Sequence, residues 1–105
     1  MCARYMVTMT IPFEKMHELG AVYVKIYKTF PSSIKIIAKS PFITTYEKEI
    51  HIYTLLEIDD NLTGAGLKDL TNFFNQYNVI EGHEWKIETL VNYKEALGMV
   101  GISLD

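Results

Sequence analysis

Cysteine occurs once in these 105 residues, at Cys2, so no internal disulfide can staple the fold, and a reducing compartment is expected. Long apolar runs are missing too. The longest, LGAVYV at 19–24, falls far short of the roughly 20 residues that span a bilayer, which excludes a membrane helix. Neither charge sign dominates: ten scattered basic residues against thirteen acidic ones leave a net charge of −3 and a pI near 5.6, with no electrostatic footprint for nucleic acid. Proline stands only at positions 12, 31 and 41, so no proline-rich linker divides the chain. The opening MCARYMVTMTIPFEK lacks the apolar stretch and small-residue cleavage site of an export signal, so a cytoplasmic location is expected.

What is present is globular composition, 49 % hydrophobic and 22 % charged, over a length that suits one domain. In RYMVTMTI, Tyr5, Val7, Met9 and Ile11 share one parity, and Arg4, Met6, Thr8 and Thr10 the other, the two-residue period of a strand. From Pro12 to Phe30, Met16, Leu19, Tyr23, Ile26 and Phe30 recur at spacings of three and four. Glu14 and Glu18 come early and Lys25 and Lys28 late, so a helix is predicted. IKIIAKSPFITTY at 34–46 is rich in β-formers, but Pro41 cannot donate a ladder hydrogen bond, which assigns this strand to a sheet edge. A turn then leads into IHIYTLLEI at 50–58, a third strand. DDNLTGAG is loop chemistry. A second helix follows with Leu67, Leu70, Phe74 and Tyr77 on one face, and then a fourth strand at 84–91. The tail at 92–105 starts with Asn92 as a helix cap. Its apolar residues need a surface to dock on, either this domain or a partner subunit.

The order βαββαβ, with right-handed crossovers, lays both helices on one face of a four-stranded antiparallel sheet of order 4-1-3-2. Over residues 4–91 the chain resembles the ferredoxin-like fold. With no evident cover for the second sheet face, it is similar to the dimeric α+β barrel proteins, in which two sheets pack face to face. That resemblance implies a homodimer, and a small-molecule ligand or substrate in some members. The same fold serves RNA-recognition modules, but EIHIYTLLEI has no glycine and one aromatic, which fails their stacking signature. The loop IPFEK offers no anion-cradling arginine, against acylphosphatase activity. No asparagine on the first strand matches the haem-degrading barrel enzymes.

The helix-facing core is expected to hold Tyr5, Val7, Met9 and Ile11, then Ile50, Ile52, Thr54, Leu56 and Ile58, and finally Trp85, Ile87, Thr89 and Val91. The other face carries Arg4, Met6, Thr8, Thr10, His51, Tyr53, Leu55, Glu57, Lys86, Glu88 and Leu90, a mixture that suits an oligomer interface or a ligand cleft. Antiparallel pairing should place Arg4 near Glu57 and Glu88, and Thr10 near His51 and Lys86. As a ligand site, this face would use His51 as acid/base, Tyr53 as its hydrogen-bond partner and Arg4 as anion anchor, with Thr8, Glu57, Lys86 and Glu88 completing the set. The alternative is a noncatalytic assembly or regulatory protein whose sheet face is filled by its partner.

Other motifs are explained by structure. His17, His51 and His83 form no ligand pair, so no metal or cofactor is expected. Cys2 and the five methionines read as packing. TGAGLKD at 63–69 lacks the third glycine of a dinucleotide fingerprint and the GK[ST] of a P-loop. EGHEWKIETLV at 81–91 looks like a reactive cluster. Strand phase divides it, sending Trp85 and Ile87 toward the helices and Lys86 and Glu88 to the other face.

Overall fold

The computed structural model describes residues 2–37, 42–46 and 48–103, with the backbone alone for Cys2 and 42–46. The alternating first segment forms β1 (Cys2–Pro12). Proline then ends the ladder and caps a tight turn, Phe13–Lys15, that opens α1 (Met16–Ile26). A further tight turn, Tyr27–Thr29, completes the helical stretch before Pro31. The edge segment appears in two pieces, β2 (Ile34–Ile36) and β3 (Phe42–Tyr46), and is followed by β4 (Glu49–Asp59). Helix α2 (Thr63–Asn75), strand β5 (Glu84–Leu90) and a short α3 (Tyr93–Met99) complete the chain.

The sheet is antiparallel, in the order β2-β4-β1-β5, with β3 also on β4. Because β2 pairs with Leu56–Ile58 and β3 with Glu49–Tyr53, the two are successive parts of one edge strand. The result is the expected four-stranded order and the ferredoxin-like topology. Pro41, on which the edge assignment partly rested, lies outside the described residues.

Register sets the core. Val7 lies between Thr54 and Ile87, and Met9 between Ile52 and Trp85, so β1 contributes its inward parity to both neighbours. Val7, Ile11, Leu56, Ile58 and Leu70 are fully buried, each worth roughly 1.5–3 kcal/mol of transfer free energy. The two helices contribute unequally. Gly66, Leu70, Phe73 and Phe74 of α2 are buried, against Leu19 alone in α1. Phe73 stands edge-on to both Phe30 and Phe74, with centroids 5.0 and 5.2 Å away.

Two expected core positions are corrected. Thr89 and Val91 are exposed: β5 ends at Leu90, and the ring contact that ties this strand to α2, Phe74 with Trp85 at 5.5 Å, is at its other end. Alternation continued past the part of the strand that a helix covers. In the tail, the Asn92 side chain accepts from Glu95 N and donates to its carboxylate, both at 2.8 Å, which closes the start of α3. Gly101, at φ +79°, ends the helical turn, and Ile102 N donates to Leu97 O. Tyr93, Met99 and Val100 are left exposed.

Candidate functional site

The open sheet face carries two polar groups separated along the strands. At one end, Arg4 Nε donates to Glu57 Oε1 at 3.1 Å, and Lys35 Nζ stands 3.9 Å from the other carboxylate oxygen. At the other end, Thr10 pairs with His51, whose ring lies 6.4 Å from Tyr53 and 4.0 Å, through Nε2, from Glu49 Oε1. Arg4 and Thr10 are six positions apart on β1, roughly 20 Å at strand rise. Within one chain, therefore, a small molecule anchored by Arg4 does not reach His51.

The β5 register refines the expected neighbours. Glu88 lies opposite Met6 and pairs with Lys86 at 3.5 Å, while Leu90 lies opposite Arg4. Lys86 faces Thr8, and Glu84 faces Thr10. Glu57 is thus the acidic partner of Arg4, and Lys86 sits one pair nearer the middle than expected, because β5 begins level with Thr10.

Between the two ends lies Thr8, 5 % exposed and the one buried polar side chain among the described residues. Its hydroxyl has no hydrogen-bond partner among them. Leaving such a group unsatisfied costs about 1–3 kcal/mol, so its place at the centre of an open face calls for an explanation.

A second feature lies on the opposite side of the sheet, where α1 stands away from the strands. A cavity of about 500 Å³ opens there, with Met9, Ile52 and Thr54 of the sheet as its floor, Phe73, Phe74 and Tyr77 as one wall, and α1 as its roof. Among the described residues, no charged side chain lines it. Burial, reinforced by the neighbouring Tyr23 phenol, pushes the Tyr77 hydroxyl up to about 12, so it stays protonated at neutral pH. Sequence periodicity missed this space because the buried part of its lining, Met9, Leu19, Ile52, Phe74 and Tyr77, reads simply as core-facing. The one available signal was Gly20, in the middle of an apolar helical stripe.

The EGHEWK stretch becomes a structural clasp. His83 Nδ1 meets Asn78 Oδ1 at 2.9 Å, Asn78 Nδ2 donates to Asn75 Oδ1, and Trp85 Nε1 donates to the same oxygen at 3.0 Å. An amide oxygen only accepts, so Nδ1 carries the proton and Nε2 the lone pair. Nε2 is buried without a partner among the described residues, and burial lowers the His83 pKa, partly opposed by Glu84. Among the described residues, no group of three His, Cys, Asp or Glu is placed to hold a metal, and no helix is long and apolar enough to cross a membrane.

No known protein family and no curated protein matches the sequence. Solved structures do. The de novo designed protein Foldit4 superimposes with a TM-score of 0.57 at 10 % identity, over 88 % of this chain and 99 % of that one. The uncharacterized protein TM1266 from Thermotoga maritima gives 0.50 at 14 %, over 87 % and 100 %. A tripeptidase from Staphylococcus aureus gives 0.50 at 11 %, covering 97 % of this chain but only 36 % of the peptidase. These likenesses establish a small α+β fold. That a designed protein shares it underlines that the fold specifies no activity.

Proposed function

We propose that the chain acts as a homodimer that packs two open sheet faces together and binds a small organic anion between them. The observation that carries this reading is Thr8, a buried hydroxyl with no hydrogen-bond partner among the described residues, ringed by half-buried Met6, Tyr53 and Leu55, with charges at the edges. An apolar centre with a polar rim is interface anatomy. A two-fold axis lying between the sheets and across the strands, level with Val7, sets each Thr8 over Met6 of the other protomer at the centre of the interface. It also reverses the strands, so that Arg4 of one protomer lies over Thr10 and His51 of the other.

Groups about 20 Å apart in one chain then meet across the dimer. Arg4 uses only Nε toward Glu57 and is 62 % exposed, leaving its terminal nitrogens for a carboxylate. His51 is the acid/base if a reaction follows, with Tyr53 orienting the ligand. Thr8, Lys86 and Glu88 line the centre and rim.

Light scattering tests the assembly: a dimer is expected, and Met6→Glu should return it to monomer. Calorimetric titration with benzoate, a simple aromatic carboxylate, should show binding that His51→Ala and Arg4→Ala each weaken without loss of the dimer. A monomeric wild type overturns the reading. A dimer indifferent to benzoate in all three forms leaves a face filled by its partner alone, the noncatalytic assembly.

A further inference from the structure

We propose that the cavity between α1 and the sheet is a binding site for one uncharged, largely apolar, ring-bearing small molecule. Its volume of about 500 Å³ falls within the range of pockets that take drug-sized ligands. The lining sets the chemistry. Phe73, Phe74 and Tyr77 present ring faces and edges on one wall, Ile52 and Met9 give an aliphatic floor, and among the described residues no cation or carboxylate stands ready to pair with a charge. A charged ligand would surrender its hydration for nothing in return. The polar atoms in the lining belong to Thr54 and to the tyrosines, hydroxyls that can each donate to a carbonyl or ring nitrogen.

Gly20 is the second observation, independent of the volume. Glycine in the middle of a helix costs about 1 kcal/mol relative to alanine, and the usual structural reasons for bearing that cost are absent here. The residue lies within α1 without a positive φ, and among the described residues a Cβ built on it would meet nothing within 4 Å. Neither backbone geometry nor a close neighbour requires it. What Gly20 does is line the cavity, beside Met16, Tyr23 and Tyr27, whose exposure places the mouth along α1. The missing side chain keeps that mouth open.

This site lies on the opposite face from the dimer interface proposed above, so each stands or falls by its own measurement. The test uses the full chain and a matched pair of fluorescent probes, neutral N-phenyl-1-naphthylamine and its sulfonated counterpart 8-anilino-1-naphthalenesulfonate. The neutral probe should bind one per chain, about tenfold or more tighter than the sulfonate. Gly20→Phe, and the smaller Gly20→Leu beside it, should weaken neutral-probe binding about tenfold while melting cooperatively. Gly64→Phe is the matched control: it too meets open space, but outside the lining, and should change nothing. Undiminished binding in a cooperatively melting Gly20→Leu or Gly20→Phe variant, equal affinity for the two probes, or no binding at all would each overturn the proposal. So would binding that rises when Met99 and Val100 are changed to serine, since the apolar tail of a second copy would then be the natural occupant.

Discussion

At Gly66, α2 comes so close to the sheet that a Cβ would stand 2.8 Å from Ile58 Cγ2. At Gly20, on α1, the same atom would find open space. Two glycines in two amphipathic helices over one sheet therefore do opposite things. The first lets backbone approach a fully buried isoleucine and closes the core around Leu70 and Phe74. The second belongs to a helix that buries only Leu19 and leaves a cavity under it. An apolar stripe says which side of a helix faces the sheet. The distance between them is decided by the size of the residues on both, which is why similar patterns produce a packed layer in one half and a pocket in the other.

The sharpest way to break this comparison is to delete the same group from each helix. Leu70→Ala, in the closed half, should cost about 3–5 kcal/mol in denaturant unfolding. Leu19→Ala, beside a space that already exists, should cost about 2 kcal/mol. Equal losses would mean that α1 is packed as tightly as α2. Next in size is Tyr77, on the wall between the halves. Its hydroxyl is raised from 10.0 to about 12, so between those values the folded state holds a proton the unfolded state has released. The associated stability is whole below pH 10 and is lost as pH rises toward 12, roughly 2–3 kcal/mol in all. Melting the wild type and Tyr77→Phe across that range should show the slope disappear in the variant.

Alanine at the two glycines should give effects of opposite sign. Gly66→Ala forces a methyl against Ile58, a stiff β-branched neighbour with no free volume, and should destabilise by about 1–3 kcal/mol. Gly20→Ala meets nothing, gains helix propensity and should stabilise by about 0.5–1 kcal/mol. A destabilised Gly20→Ala would show that α1 needs the glycine for itself.

Much of the scaffold was legible because strand alternation survives in single residues: the parity of Tyr5, Val7, Met9 and Ile11 predicts both the core face and, by exclusion, the open one. Thr89 and Val91 misled because alternation reports phase and not coverage, and both are exposed at the end of β5 away from the Phe74–Trp85 contact. Phase alone says nothing of position along the open face; pairing supplies that. Antiparallel pairing sets Arg4 with Glu57 and Thr10 with His51 at opposite ends, as the register has them, and the register slides Lys86 from Thr10 to Thr8 and Glu88 from Arg4 to Met6. The cavity was least legible, since an absence between two elements leaves no pattern in either, apart from a glycine where alanine would serve.

The smallest effect belongs to the closed half, where His83 ties the end of α2 to β5. Its Nε2 is buried and unpartnered among the described residues, so adding a proton there would place an N–H where nothing accepts it. Burial therefore holds the His83 pKa below the usual 6.5, with Glu84 pulling the other way. As pH falls below 6.5 the unfolded chain takes up a proton that the folded one refuses, so the clasp's stability is full above that value and declines into the acid range. Replacing His83 with glutamine, which keeps a donor for Asn78 but cannot titrate, should flatten that part of the stability profile and leave neutral-pH stability nearly unchanged. The same slope should persist in Gly20→Phe, because that substitution sits at the mouth along α1, whereas His83 meets the lining through its ring contact with Tyr77 at 5.6 Å. If filling the cavity shifts the His83 titration, followed by its ring proton resonances, the two halves are one mechanical unit and the contrast between the helices is only local.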